Sequence, residues 1–166
     1  MTTAFFGHSS CIDHQPGPRH PESPERLKRI YQILGDKCFD SLKRLEATRA
    51  NPTVLELVHD SKYVSYILES VPSEGCKALD PDTYLSAASG EAALHAVGGV
   101  CEAVDLVLEG EANNAFCAFR PPGHHAERDQ AMGFCVFNNV AIAARYAQVL
   151  RGVDKVAVVD FDVHHG

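Results

Sequence analysis

Residues 155–166 read KVAVVDFDVHHG, an apolar run followed at once by two carboxylates and two imidazoles. A short continuous apolar run predicts a strand over 155–161 that is buried on both faces, as in a parallel sheet covered by helices. In an extended chain alternate side chains share a face, so Asp160, Asp162 and His164 are expected to point the same way. The segment therefore predicts an α/β fold in which polar groups collect where a strand ends.

A second histidine pair follows a second apolar run. AFCAF at 115–119 reads as a buried strand, and RPPGHHAERDQAMG at 120–133 reads as a loop because its two prolines exclude a helix. In open α/β sheets, ligands bind beyond the carboxyl ends of the strands. The pairs His124–His125 and His164–His165 are both expected at that edge, so the sequence predicts one site built from two loops.

Periodicity predicts the remaining elements. Strands are expected over 3–8 and 42–48, and helices over 20–35, 52–58, 61–71, 86–109 and 138–150. The first long helix has Ser23 as its N-cap, Pro24 at its first position and Gly35 as its stop. Residues 72–85 are expected to form an ordered loop, since proline and glycine interrupt regular structure there.

Composition limits the classes of function. The chain has 166 residues and a formal net charge of −7, which argues against a nucleic-acid-binding surface. No apolar run approaches the ~18 residues of a membrane span, and the start lacks the features of a signal peptide. The six cysteines include no C-x-x-C pair. We expect one domain in a reducing cytoplasm.

The residues at 160–164 suit a metal. Asp162 and His164 can offer an oxygen and a nitrogen to one cation, a combination that suits Zn²⁺ or another first-row divalent ion. Asp160 lies one pleat deeper, where an unpaired carboxylate is costly. We expect it to have a partner, either a second cation or a histidine of the neighbouring loop.

Three segments together carry a family resemblance. RPPGHHAE, AMGFCVFNN and VVDFDVHHG resemble the histone deacetylase superfamily, in the form of its bacterial, class II-like, acetylpolyamine-amidohydrolase and acetoin-utilization-type members. HPESPERL and VHDSKYV are similar to that family as well. The resemblance implies a three-layer arginase/deacetylase-like α/β fold with a mainly parallel sheet. It also implies a metal-dependent hydrolase that removes acetyl groups from acetyl-lysine, acetylated polyamines or other small amines.

The resemblance assigns the metal site and its surroundings. Asp162 and His164 match two of three metal ligands, for Zn²⁺ or alternatively Fe²⁺ or Co²⁺. His124 and His125 match the tandem histidines that flank the activated water as general acid and base. Asp160 matches the carboxylate that pairs with the first of them and helps to bind a structural K⁺.

The resemblance also assigns the residues that contact substrate. Gly133 and Phe134 match the wall of the narrow tunnel for the substrate's aliphatic chain. Asp82 matches the rim carboxylate that holds the substrate backbone, with Asp80 as a rival. Arg26 matches an arginine beside the inner cavity through which acetate leaves.

Two family features lie beyond Gly166, namely the third metal ligand and the tyrosine or histidine that stabilises the transition state. Residues 1–166 are therefore expected to be the N-terminal portion of a single deacetylase domain, with an incomplete sheet and no activity alone. The full-length protein is expected to act on an acetylated amine, away from membranes and nucleic acid, and homo-oligomers are compatible with it.

Other readings stay open. VAVVDFDV also fits a haloacid-dehalogenase-type phosphatase, with Asp160 as nucleophile, Asp162 as acid/base and Mg²⁺ as metal. An arginase-type ureohydrolase shares the sheet and a related metal motif. A non-catalytic module that binds acetyl-lysine would use the same pocket without turnover.

Overall fold

The computed structural model describes all 166 residues, which form five strands, six α-helices and one short 3₁₀-helix at Lys37–Phe39. The strands are β1 (Thr3–Gly7), β2 (Lys43–Glu46), β3 (Cys76–Ala78), β4 (Tyr84–Ser86) and β5 (Asn114–Cys117). The helices are α1 (Ser10–Asp13), α2 (Pro24–Leu34), α3 (Pro52–Leu55), α4 (Ser61–Glu69), α5 (Ser89–Leu108) and α6 (Asn139–Val149). None of the helices combines the length and apolar character needed to cross a bilayer.

The main sheet is parallel, with the order β2-β1-β5. The central strand β1 has Ala4, Phe5 and Phe6 buried, because helices cover both of its faces. The edge strands are less covered than the sequence predicts, and Phe116 on β5 is 47% exposed. The strand predicted over 115–119 is therefore present, at Asn114–Cys117, but it is only partly buried, because it lies at the edge of the sheet and lacks one neighbour.

Helix α5 joins the sheet to the rest of the molecule. Its first three-quarters are almost entirely buried, and it packs against α6, α1 and the sheet. Close approach is enforced by small residues: a Cβ at Gly98 would clash with the carbonyl oxygen of Thr48 and lie 3.0 Å from the backbone nitrogen of Ala50. The largest apolar cluster, between α4, α5 and α6, lies beneath the loops that carry the candidate site.

Helix α2 confirms the prediction made from its termini. It begins at Pro24 after Ser23 and ends before Gly35, as the proline and glycine positions indicate. The Ser23 side chain makes no capping hydrogen bond, although its extended backbone suits that position. The long helix and the helix after the second loop are confirmed to within three residues of the expected bounds.

Two predictions of local structure are wrong. Residues 72–85 are not only loop, because β3 and β4 pair there as an antiparallel hairpin. Residues 155–161 form no strand: Val159 is 83% and Phe161 96% exposed, and the segment joins neither sheet. A strand requires a neighbour for its backbone N–H and C=O groups, and no other part of residues 1–166 runs alongside this segment.

Candidate functional site

The loop that carries the tandem histidines runs from the end of β5 to α6 and is braced from α6. Nδ2 of Asn138 donates to the carbonyl oxygens of His124 (3.4 Å) and Ala126 (3.1 Å). The Oδ1 atom of the same side chain accepts from the backbone N–H of Ala141 at 3.1 Å, which caps α6. One asparagine therefore fixes both the start of the helix and the backbone of the loop.

A buried ion pair anchors the other end of this loop. Arg120 is 4% exposed and donates through Nη2 to Oε2 of Glu22, which is 1% exposed, at 2.7 Å. Arg120 also donates to the carbonyl oxygens of Cys11 and His14. Burial alone would raise the pKa of Glu22, but hydrogen bonds from His14 and Arg120 outweigh it and lower the pKa to about 2.

His124 meets the segment at 160–164. Its Nδ1 lies 2.8 Å from Oδ2 of Asp160, so the partner expected for that carboxylate is a histidine of the neighbouring loop. The hydrogen bond from His124, followed by the one from the backbone N–H of Asp162, lowers the pKa of Asp160. An ionised carboxylate can only accept, so Nδ1 of His124 carries the proton and Nε2 is left available.

Asp162 and His164 form a second pair in this segment. Oδ1 of Asp162 accepts from the backbone N–H of His164 at 2.8 Å and lies 3.0 Å from Nδ1 of its ring. These two hydrogen bonds, the backbone one first, lower the pKa of Asp162. An aspartate that accepts from the backbone N–H two residues further on forms an Asx turn, and this bend brings the ring of His164 to Asp162.

The second tandem histidine lies between the two pairs. The ring centroid of His125 is 4.0 Å from that of His124 and 6.3 Å from that of His164. Burial, followed by the charges of His124 and His164, lowers the pKa of His125. A neutral imidazole at pH 7 can accept a proton, as a general base must.

The donors at 160–164 fit part of a divalent-metal centre. Asp162 offers a carboxylate oxygen and His164 an imidazole nitrogen, both donor types that zinc accepts. Catalytic zinc sites generally use three protein ligands. No group of three or more His, Cys, Asp or Glu side chains in residues 1–166 converges on one point that could hold an ion. The chain therefore supplies two adjacent donors of the expected kind, and not a complete set.

Gly133 and Phe134 form a tight turn against His125. Met132 and Cys135 exchange backbone hydrogen bonds of 3.2 and 2.9 Å, and the two residues between them have φ of +56° and +69°. A Cβ at Gly133 would lie 2.8 Å from Cγ of His125, so only glycine allows this approach. The geometry thus places Gly133 of this turn directly against His125.

The 80–83 loop lies on the other side of Phe134. Oγ1 of Thr83 accepts from the backbone N–H of Phe134 at 3.0 Å, and the exposed Asp82 precedes it. Asp80 differs from Asp82 in that its side chain turns back onto the loop: Oδ1 of Asp80 accepts from the backbone N–H groups of Asp82 and Thr83. Asp80 therefore shapes the loop, and Asp82 is the carboxylate that the loop presents to solvent.

Arg26 lies apart from these residues. It lines a cavity of about 260 Å³ together with Glu22, Arg120 and apolar residues of α2 and β5. Its side chain is exposed, whereas Arg120 in the cavity wall is 4% exposed and is paired with Glu22.

Sequence reasoning missed several residues that build the site. Glu22, Arg120, His14, Asn138 and Thr83 hold its loops, yet they carry no signal in spacing. The partners Glu22 and Arg120 are 98 residues apart, and Thr83 and Phe134 are 51 apart. The sequence offered one clue: Glu22 and Arg120 are charged residues next to prolines in the motifs HPESPERL and RPPGHHAE. A charged side chain that is buried requires a partner of opposite charge.

Comparisons with known proteins identify the family that the chain resembles. The sequence model of the histone deacetylase domain family matches residues 20–166. The chain is 37% identical to the "Histone deacetylase-like amidohydrolase" of Pseudomonas aeruginosa, over 99% of this chain and 48% of that protein. It is 40% identical to human "Polyamine deacetylase HDAC10", over 87% of this chain and 23% of that protein.

A solved structure matches the fold. The HDA15 HD domain superposes with a TM-score of 0.90 at 32% identity, over 99% of this chain and 48% of that one. The "Probable deacetylase" of Archaeoglobus fulgidus is 34% identical over all of this chain and 46% of that protein. The chain thus spans about half the length of several of the relatives that it matches.

Proposed function

Because the chain belongs to the histone deacetylase family, we propose that its protein is a metal-dependent amidohydrolase that removes acetyl groups from amines. The observation that carries this proposal is the meeting of two loops. His124 of one loop is hydrogen-bonded to Asp160 of the other, and His125 lies between that pair and His164. We assign residues 1–166 to the N-terminal portion of one such domain.

The proposed metal is Zn²⁺, with Fe²⁺ or Co²⁺ as alternatives that the same donors accept. Asp162 and His164 would hold it, together with a third ligand that these 166 residues do not supply. A bound zinc ion acts as a Lewis acid that polarises a carbonyl and lowers the pKa of a water molecule to roughly 7. Asp160, with the main-chain carbonyls of Asp162 and His164, is the proposed site for a structural K⁺.

The histidines have distinct proposed roles. His125, whose pKa is lowered, is neutral near pH 7 and takes the proton of the attacking water. His124 keeps its proton on Nδ1 and donates it in a hydrogen bond to Oδ2 of Asp160, which fixes the orientation of the ring and leaves Nε2 free to face the leaving amine. The proton that His125 takes from the water is then passed to the leaving amine through Nε2 of His124, so the C–N bond breaks and both histidines return to their starting forms.

The substrate contacts follow from the loops around this pair. Gly133 and Phe134 are the proposed wall of a slot that accepts methylenes, and Asp82 is the proposed contact for the substrate backbone. Acetate is proposed to leave past Arg26 through the cavity of about 260 Å³ that this side chain lines. A net charge of −7 is compatible with a cationic amine as substrate or product. The cytoplasmic location and homo-oligomerisation stay predictions.

The test is release of acetate by the complete gene product from an acetyl-lysine peptide and from acetylated polyamines. Activity should disappear after chelation and return when Zn²⁺ is added. His125→Ala serves as the inactive reference with an intact set of metal donors. Peptide binding without acetate release would favour the non-catalytic binder, and Mg²⁺-dependent hydrolysis of p-nitrophenyl phosphate would favour the phosphatase.

A further inference from the structure

The backbone of Phe134 adopts a conformation that a phenylalanine rarely takes. Its φ of +69° lies in the left-handed region, which is unusual for a bulky side chain. Both central residues of the 132–135 turn have positive φ, as a type I′ turn requires, but only Gly133 adopts it at little cost. Contacts from outside the turn must therefore hold Phe134 in place.

The first such contact is a buried hydroxyl. Thr83 is completely buried, and its Oγ1 accepts from the backbone N–H of Phe134 at 3.0 Å. The same hydroxyl can donate its proton to Oδ1 of Asp82 at 3.3 Å. A hydroxyl carries one donor and two acceptor positions, so both hydrogen bonds can exist together. Thr83 thus links the backbone of Phe134 at the turn to the carboxylate of Asp82 at the rim.

Thr83 is itself held in place. Oδ1 of Asp80 accepts from the backbone N–H of Thr83 at 2.6 Å, and the Thr83 carbonyl accepts from the backbone N–H of Leu79 at 2.8 Å. Because Thr83 is buried, no water can take the place of Oγ1 as the acceptor for the Phe134 amide. Replacement of the hydroxyl by a methyl group would therefore leave the Phe134 amide without a partner, which is costlier than loss of an exposed hydrogen bond.

His20 supplies a second, independent support. Its Nδ1 accepts from the backbone N–H of Glu22 at 3.1 Å, so Nε2 carries the proton and donates to the carbonyl oxygen of Asp82 at 3.0 Å. Its ring meets that of Phe134 edge to face, with centroids 4.7 Å apart. His20 therefore contacts the same two residues that Thr83 connects.

We propose that Thr83, with His20 behind it, is a positioning residue that sets the tunnel wall at Phe134 and the rim carboxylate at Asp82 together. This inference rests on the proposed function, because it assigns Thr83 a role in substrate binding at that site. Neither Phe134 nor Asp82 handles a proton in the reaction. Loss of the Thr83 hydroxyl should therefore weaken substrate binding and leave the chemical step largely intact.

The experiment compares Thr83→Val and Thr83→Ser in the complete gene product. Thr83→Val should raise KM for an acetyl-lysine peptide about tenfold, the factor expected for one lost hydrogen bond, with kcat changed less than about twofold. Thr83→Ser keeps the hydroxyl and should retain the wild-type KM. Thr53→Val makes the same exchange at an exposed helix position and serves as the control.

Amide hydrogen exchange gives a readout that needs no activity. The Phe134 amide should exchange at least about tenfold faster in Thr83→Val than in wild type or Thr83→Ser, because its acceptor is gone. Should Thr83→Val not fold, Thr83→Cys makes the comparison with a weak hydrogen-bonding group of similar size.

Two results would overturn the assignment: equal KM values for Thr83→Val and Thr83→Ser, or unchanged exchange at Phe134. If the wild type releases no acetate, the proposed function fails. The exchange comparison then still decides whether Thr83 holds Phe134.

Discussion

Replacement of Glu22 by glutamine should destabilise the protein strongly at neutral pH. The carboxylate is 1% exposed and faces the guanidinium of Arg120, which is 4% exposed. Its pKa falls from the ordinary 4.5 to about 2, which corresponds to about 3 kcal/mol of folding free energy at 1.36 kcal/mol per pH unit. Removal of one partner from a buried ion pair typically costs about 3–5 kcal/mol, so the two magnitudes agree.

The pH dependence of this loss has a defined sign. Above pH 4.5 the Glu22 carboxylate is ionised in both folded and unfolded chains, and the full contribution is present. Below that pH the unfolded chain takes up a proton first, while the folded chain resists protonation until about pH 2. The difference in unfolding free energy between wild type and Glu22→Gln should therefore shrink steadily from pH 4.5 toward pH 2.

The assay is urea denaturation of the complete gene product at pH 7, 5 and 3. Glu25→Gln is the matched control, since Glu25 lies three residues further along the chain, in the first turn of α2, and pairs with Lys28 at 2.7 Å but is exposed. That exposed pair should contribute less than about 1 kcal/mol. A Glu22→Gln effect no larger than that of Glu25→Gln, or one that does not shrink on acidification, would refute the reasoning.

Three further predictions concern the candidate site. Gly133→Ala should lower turnover, because the added Cβ would displace His125. Gly75→Ala is the control: Gly75 also has positive φ, but no atom lies within 4 Å of the added Cβ, so only Tm should fall. Kinetics and thermal unfolding of both variants check this. Asp162→Ala or His164→Ala should lose bound zinc and His125→Ala should keep it, as metal analysis of the purified variants will show. Residues 1–166 alone should bind zinc weakly and release no acetate, because no third ligand joins the two donors. Stoichiometric zinc with robust turnover in that chain would contradict this.

The sequence by itself determined the features that depend on local chemistry. The start and end of α2 follow from Pro24 and Gly35, whose backbones favour those positions wherever the helix packs. The resemblance carried by RPPGHHAE, AMGFCVFNN and VVDFDVHHG predicted the family and the fold, and both are confirmed. The sequence also predicted that Asp160 needs a partner, either a second cation or a histidine of the neighbouring loop, and the structure places His124 beside it.

Only the tertiary structure decided which distant residues support the site. The contacts Glu22–Arg120 and Thr83–Phe134 join segments 98 and 51 residues apart, and no periodicity or spacing encodes such a meeting. The strand predicted at 155–161 fails for the same reason. Its apolar pattern expresses a preference for burial, but a strand exists only where another chain segment satisfies its backbone hydrogen bonds, and residues 1–166 place none beside it.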